Sequence, residues 1–289
     1  MAHLGLSWKI INASSFAVNT LATYVVGASK HSAVNILGAT FVSNQSISAK
    51  YPTLVTPSGY AFSIWGPIFL LEGAATIYDV FVANNAEKTP SGTTVTALLG
   101  ESSVYWSAAC LLQASWAFIF GANRIVESTV AMMGIAYCMR QVYATSAAIQ
   151  SGGESGLTVR NVTLRLTQLA FSLHSAWVNC AAIINVNMAA NALGLSYEAQ
   201  MYIAWASMFA AVGIALYTTY KYQDPVPAIV TAWALIAMGN NDTTPYSAVY
   251  VALSVAKAPV DTLQAQYTVA GYAVGFFGVV QAAIPLLTN

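Results

Sequence analysis

Tyr60-Ala61-Phe62-Ser63-Ile64-Trp65-Gly66-Pro67-Ile68-Phe69-Leu70-Leu71-Glu72-Gly73-Ala74-Ala75-Thr76-Ile77-Tyr78-Asp79-Val80-Phe81-Val82-Ala83 is apolar along most of its length and carries only two carboxylates. A helix rises about 1.5 Å per residue and the hydrocarbon core of a bilayer is about 30 Å thick, so about 20 such residues suffice to cross. The stretch therefore reads as a transmembrane helix. Seven further runs read the same way: Ser7–Ala28, Val104–Ala122, Val126–Ile149, Leu164–Ala192, Ala199–Tyr220, Val226–Gly239 and Tyr267–Leu287. The run Tyr246–Ala258 suits a short tilted, re-entrant or interfacial helix better than a full crossing, which leaves eight or nine helices in all.

Composition agrees. Of the 289 residues 57% are hydrophobic and 7% charged, against about 25% charged in an average soluble domain. The fold class expected is an all-α polytopic membrane bundle. Ten basic and ten acidic residues leave no net charge, so no polyanion partner is implied and nucleic acid binding is excluded. Cys110, Cys138 and Cys180 lie inside apolar runs and read as small buried hydrophobes rather than a disulfide framework.

Breakers separate the runs: Tyr51-Pro52, Thr56-Pro57-Ser58-Gly59, Thr89-Pro90-Ser91-Gly92, Ser151-Gly152-Gly153 and Asp224-Pro225-Val226-Pro227. The longest connection, Ser29–Ser58, is expected to fold over a site as a lid, since structureless loops of about thirty residues are uncommon. Basic residues orient the chain weakly. Lys9, Lys88, Arg160, Arg165 and Lys221 fall on the N-terminal side, against Lys30, Lys50 and Arg124 opposite, which tips the N-terminus toward the cytoplasm or stroma.

Polar residues inside spans are costly, and their arrangement points to function. Trp65, Glu72 and Asp79 recur every seven residues and share one helical face, which must avoid lipid. Arg140 is the expected countercharge, giving a buried network of Glu72, Asp79 and Arg140. A structural ion pair is its ordinary reading and a proton or substrate role the sharper one. In the run from Phe171 to Asn185, His174, Trp177, Ala181 and Asn185 form a stripe. Its ordinary reading is an interhelical hydrogen-bond network; its sharper one makes His174 an axial ligand to a metallotetrapyrrole. Asn12, Ser15, Asn19 and Thr23 on the first span face the same kind of interior as Trp106, Gln113, Trp116 and Phe120 on the third, and together they suit a large flat apolar ligand with few polar edges. No nucleotide loop, metal spacing, nucleophile elbow or catalytic triad is present, so an enzyme is not the leading expectation.

Three stretches resemble the translocator/tryptophan-rich sensory protein (TspO/MBR) family, also known as peripheral benzodiazepine receptors. They are Pro57–Phe69, Leu112–Phe120 and His174–Asn185, whose proline, tryptophan and asparagine placements are similar to the family's second, third and fifth helices. The resemblance covers about Ser7–Ala192, implying a five-helix core over residues 1–192 and a C-terminal helical extension of three or four helices over 193–289. It implies that Trp65, Trp116, Trp177 and Asn185 line a ligand cavity under the first loop. Asn19, Gln113 and His174 complete the candidate binding set read from the stripes, and Trp233 falls outside the resemblance.

Three function classes follow. The leading one is a sensor, carrier or regulator that binds a porphyrin-like or sterol-like molecule, with porphyrin, haem, chlorophyll and sterol all open as the ligand. The second is an accessory subunit of a photosynthetic or respiratory membrane complex, and the third a small-molecule transporter coupled through Glu72, Asp79 and Arg140. The partners implied are the lipid bilayer, a hydrophobic small molecule, and a homodimer or larger complex. The membrane, whether plastid, mitochondrial or plasma, is left open.

Overall fold

The computed structural model describes residues 2–27, 33–36, 38–81, 95–150, 159–240 and 257–288. Helix α1 (Ala2–Ala22) ends in a π-helical turn, Thr23–Gly27. A short hairpin follows, β1 (Ala33–Ile36) antiparallel to β2 (Ala39–Val42), then α2 (Asn44–Lys50). A 3-10 turn, Gly59–Ile64, leads into α3 (Trp65–Phe81). The rest is helical: α4 (Val95–Gly121), α5 (Ile125–Gln150), α6 (Val159–Ala192), α7 (Tyr197–Tyr222), α8 (Val226–Gly239) and α9 (Lys257–Thr288).

Each of the eight apolar runs falls on one of these helices, and the chain is an all-α bundle. Among the described residues, five helical segments are long and apolar enough to cross a membrane: Ser7–Gly27, Gly59–Phe81, Gly100–Gly121, Thr163–Ala192 and Tyr197–Tyr222. Helix α4 begins before the Val104 expected from hydropathy. Its early polar residues Ser102 and Ser103 are buried between helices, so polarity here marks an interior position rather than a loop. Most of Tyr246–Ala258 lies outside the described residues, apart from Lys257 and Ala258, which open α9.

Local chemistry sets several boundaries. Ser196 caps α7 by accepting from the Ala199 amide at 3.3 Å, and Gln223, at φ 52°, ends it in the left-handed region. The Asp224 carboxylate then accepts from the Val226 amide at 2.9 Å, starting α8 in the sharp turn that the two prolines favour.

Helix α6 is the axis of the bundle, packing against α3, α4 and α5 on one side and α7 and α8 on the other. Buried residues from both sides of Ala192 share one cluster, with Trp177, Ile184 and Met188 of α6 touching the same core as Met208, Leu235 and Tyr267. Helix α9 approaches α8 closely enough that glycine is required. A Cβ at Gly239 would lie 2.0 Å from Thr268 Oγ1, and one at Gly271 would lie 2.7 Å from Ile236 Cγ1. Small residues at such crossings allow the van der Waals contact that drives helix association in lipid.

The segment expected as a lid is folded into the bundle as a plug. Ile47, Leu54, Val55 and Ala61 are buried in the same cluster as Trp177 and Leu235. Backbone polar groups along it are satisfied from two helices, α6 and α8. Asn191 Nδ2 donates to the Pro52 carbonyl at 2.6 Å, the Ser58 amide to the Ala237 carbonyl at 2.9 Å, and Trp233 Nε1 to the Ala61 carbonyl at 3.1 Å. Burying Ile47, Leu54 and Val55 stabilises the closed arrangement by about 1.5–3 kcal/mol per side chain.

Candidate functional site

Between α1, α3, α4 and α6 the interior polar residues form successive layers. At the end where α3 finishes, Lys9 Nζ donates to the Asp79 carbonyl at 2.6 Å and lies 3.8 Å from Asp79 Oδ1. One layer inward, Asn12 Nδ2 donates to Ser103 Oγ and Ser107 Oγ donates to Asn12 Oδ1, both at 3.0 Å. Deeper still lie Asn19 and Cys110 and, on the facing helices, Glu72 and His174, all buried. His174 Nδ1 is hydrogen-bonded to Glu72 Oε1 at 2.6 Å. The layers repeat at intervals of seven along three helices, Asn12 to Asn19, Glu72 to Asp79 and Ser103 to Cys110. That spacing stacks them on one face of each helix.

Aromatic rings enclose the pair. The Trp65 ring meets His174 edge-on at 5.5 Å and Trp177 edge-on at 6.3 Å, and the Phe62 ring meets Trp177 at 5.8 Å. Trp106 packs on Phe171 at 5.2 Å and stacks on Phe16 at 6.1 Å. Trp116 and Asn185 belong to an adjoining bond network. Trp116 Nε1 donates to Asn185 Oδ1 at 3.3 Å, Asn185 Nδ2 to the Ala181 carbonyl at 2.9 Å, and Thr129 Oγ1 to the Asn185 carbonyl at 3.0 Å.

Several buried polar atoms at this place have no hydrogen-bond partner among the described residues. They are Asn19 Nδ2, Glu72 Oε2, Trp106 Nε1, Gln113 Nε2 and Oε1, His174 Nε2 and Trp177 Nε1. Each such atom costs about 1–3 kcal/mol when left unmade, and their concentration here contrasts with the satisfied Asn12 and Asn185 on either side.

Arg140 is the correction to the expected charge network. It is exposed on α5, and Glu72 is paired with His174 while Asp79 is paired with Lys9. The buried face of α5 runs through Met132, Ile135, Met139 and Val142, which directs Arg140 away from α3. Lys9, Ser103 and Ser107 were not expected in the network, although the seven-residue spacing shared with Asn12 and Cys110 was readable. Among the described residues no group of three or more His, Cys, Asp and Glu side chains is placed to hold a metal ion.

The model of the TSPO-like protein family matches residues 15–260. The chain belongs to the TSPO-like protein family. With its apolar helices, membership makes it an integral membrane protein of this class. The match extends beyond Ala192 and takes in α7 and α8, a longer reach than the Ser7–Ala192 resemblance, and α8 is one of the two helices whose hydrogen bonds hold the plug. No curated protein and no solved structure matches the chain.

Proposed function

We propose that the chain binds a flat hydrophobic ligand, porphyrin-like or sterol-like, in the interior between α1, α3, α4 and α6, with the 43–64 segment as the gate. The observation that carries this reading is the group of orphaned polar atoms walled by Trp65, Trp106, Trp177 and Phe171. A ligand with a few polar edges on an apolar body would satisfy them, and its faces would stack on the rings. The interior is closed by the plug, so binding on this account requires Leu54, Val55 and Ala61 to withdraw from the core.

His174 suits a metallotetrapyrrole in its ligand chemistry. Its Nε2 is buried without a partner, and Glu72 holds Nδ1 in the carboxylate–histidine arrangement that orients imidazole ligands. Such a ring, when bound, would supply a visible absorption band sensitive to its axial ligand. Glu72 would fix the imidazole plane, and Trp65 would limit its rotation.

The test is an absorption titration of the detergent-solubilised protein with haem. Wild type is expected to give a saturable spectrum of histidine ligation, lost in His174→Ala and recovered with added imidazole. A spectrum indifferent to His174 contradicts the axial-ligand assignment.

A further inference from the structure

A second site lies on the opposite face of α6 from the Glu72–His174 pair. A cleft opens between α5, α6, α7 and α8, with Ala211, Ile214 and Ile183 as apolar lining and Arg140, Tyr217 and Tyr222 among its polar residues. Arg140 makes no hydrogen bond or ion pair among the described residues and is exposed. Lys221 sits over two of the lining rings, its Nζ lying 5.5 Å from the Tyr217 ring centre and 5.1 Å from that of Tyr222.

The nearest satisfied acid shows the depth. Tyr143, one turn along α5 from Arg140, donates to Asp224 Oδ2 at 2.8 Å, and Ser172 donates to the same oxygen at 2.6 Å. The other oxygen, Oδ1, accepts from the Val226 amide, so Asp224 is already committed to three donors in the turn between α7 and α8. That turn ends the membrane-crossing helix α7, which places it toward the headgroup level and sets Arg140 about one helical turn, or about 5 Å, further in. An arginine there can lift its guanidinium toward the interface while its stem stays in the hydrocarbon. An unpaired cation at that depth is costly until an anion reaches it.

We propose that this cleft is a binding site for an anionic membrane phospholipid, with the phosphate between Arg140 and Lys221 and one acyl chain against Ile183, Ala211 and Ile214. Charge complementarity selects the occupant, since Arg140 lines the cleft without an anionic partner among the described residues and Lys221 adds positive charge over the lining rings of Tyr217 and Tyr222, beside an apolar floor. Arg140 offers a planar fork to phosphate oxygens, and Lys221 a point charge held over two rings. The site is distinct from the interior one, because the cleft lining includes none of Glu72, His174, Trp65, Trp106 and Trp177.

The experiment is native mass spectrometry of the full chain with phosphatidylglycerol and phosphatidylcholine supplied in equal amounts. Wild type is expected to retain phosphatidylglycerol several-fold over phosphatidylcholine, with the preference falling as salt rises. The double variant Arg140→Gln/Lys221→Gln should bind both lipids equally. Arg124→Gln, whose arginine is already bonded to Glu127, should keep the preference. Ile214→Trp fills the floor and leaves both cations, and it should reduce phosphatidylglycerol retention as well. Melting in lipid-free detergent checks that each variant is folded. Equal binding of the two lipids by wild type overturns the proposal, as does a preference that survives the double variant. A preference that survives Ile214→Trp overturns the seating of the chain. If the double variant does not fold, the salt dependence of wild type decides: a preference unchanged by salt overturns the proposal.

Discussion

His174 Nδ1 and Glu72 Oε1 lie 2.6 Å apart between α6 and α3, with both side chains sealed from solvent. The pair joins two helices at the depth where aromatic rings from α3, α4 and α6 converge. In a low-dielectric interior, removing one partner strands the other.

Glu72→Ala should therefore lower stability by about 3–5 kcal/mol, the range for breaking a buried pair by deleting one member. Glu72→Gln keeps an acceptor for the imidazole N–H and should cost less. Melting midpoints in detergent should rank wild type above Glu72→Gln above Glu72→Ala. A Glu72→Ala protein as stable as wild type would show that the bond contributes nothing.

Much of this was legible in the chain. Spacings of seven put Trp65, Glu72 and Asp79 on one face, and the stripe from His174 to Asn185 was recognisable as interior. The pairing was not, because a spacing fixes a face without naming the helix opposite. Formal charge alone singles out Arg140 in the sequence. In a bilayer the lipid-facing and core-facing sides of a helix are both apolar, so hydrophobic periodicity on α5 gave little sign that Arg140 points outward. Lys9 enters the sequence reading only as one of the basic residues that orient the chain, although it reaches Asp79 across the first turns of the bundle.

Trp233 illustrates the same difficulty. It lies outside the Ser7–Ala192 resemblance, yet its Nε1 holds the Ala61 carbonyl and its ring meets Tyr60 edge-on at 5.0 Å. Trp233→Ala should loosen the plug. One neutral hydrogen bond is worth about 0.5–1.5 kcal/mol, so porphyrin association should quicken by roughly two- to tenfold. Stopped-flow quenching of tryptophan fluorescence measures this, and an unchanged rate would argue against the 43–64 segment as the gate.

The α8–α9 crossing makes a prediction about stability alone. Gly271→Ala forces a Cβ to 2.7 Å from Ile236 Cγ1 and 3.2 Å from the Ala232 carbonyl, and Gly239→Ala meets Gln264 and Thr268 backbone atoms at 2.7 and 2.8 Å. Overpacking of this kind costs about 1–3 kcal/mol. Gly213→Ala on α7, with open space around its Cβ, should be neutral or slightly stabilising. Thermal melts of the three variants give the comparison, and three equal midpoints would mean that the crossing is looser than described.

The most direct measurement is an equilibrium titration of the purified protein with protoporphyrin IX, following tryptophan fluorescence in wild type, Trp177→Ala and Trp8→Ala. Trp177 is fully buried at the proposed wall, whereas Trp8 is exposed near the start of α1. An aromatic face against a flat ring contributes about 0.5–1.5 kcal/mol beyond its buried area, so Trp177→Ala should weaken binding by roughly two- to tenfold or more. Trp8→Ala should leave the affinity unchanged. Saturable binding lost selectively at Trp177 is the predicted result; no saturable binding by wild type, or equal losses at both positions in folded protein, would contradict the interior ligand site.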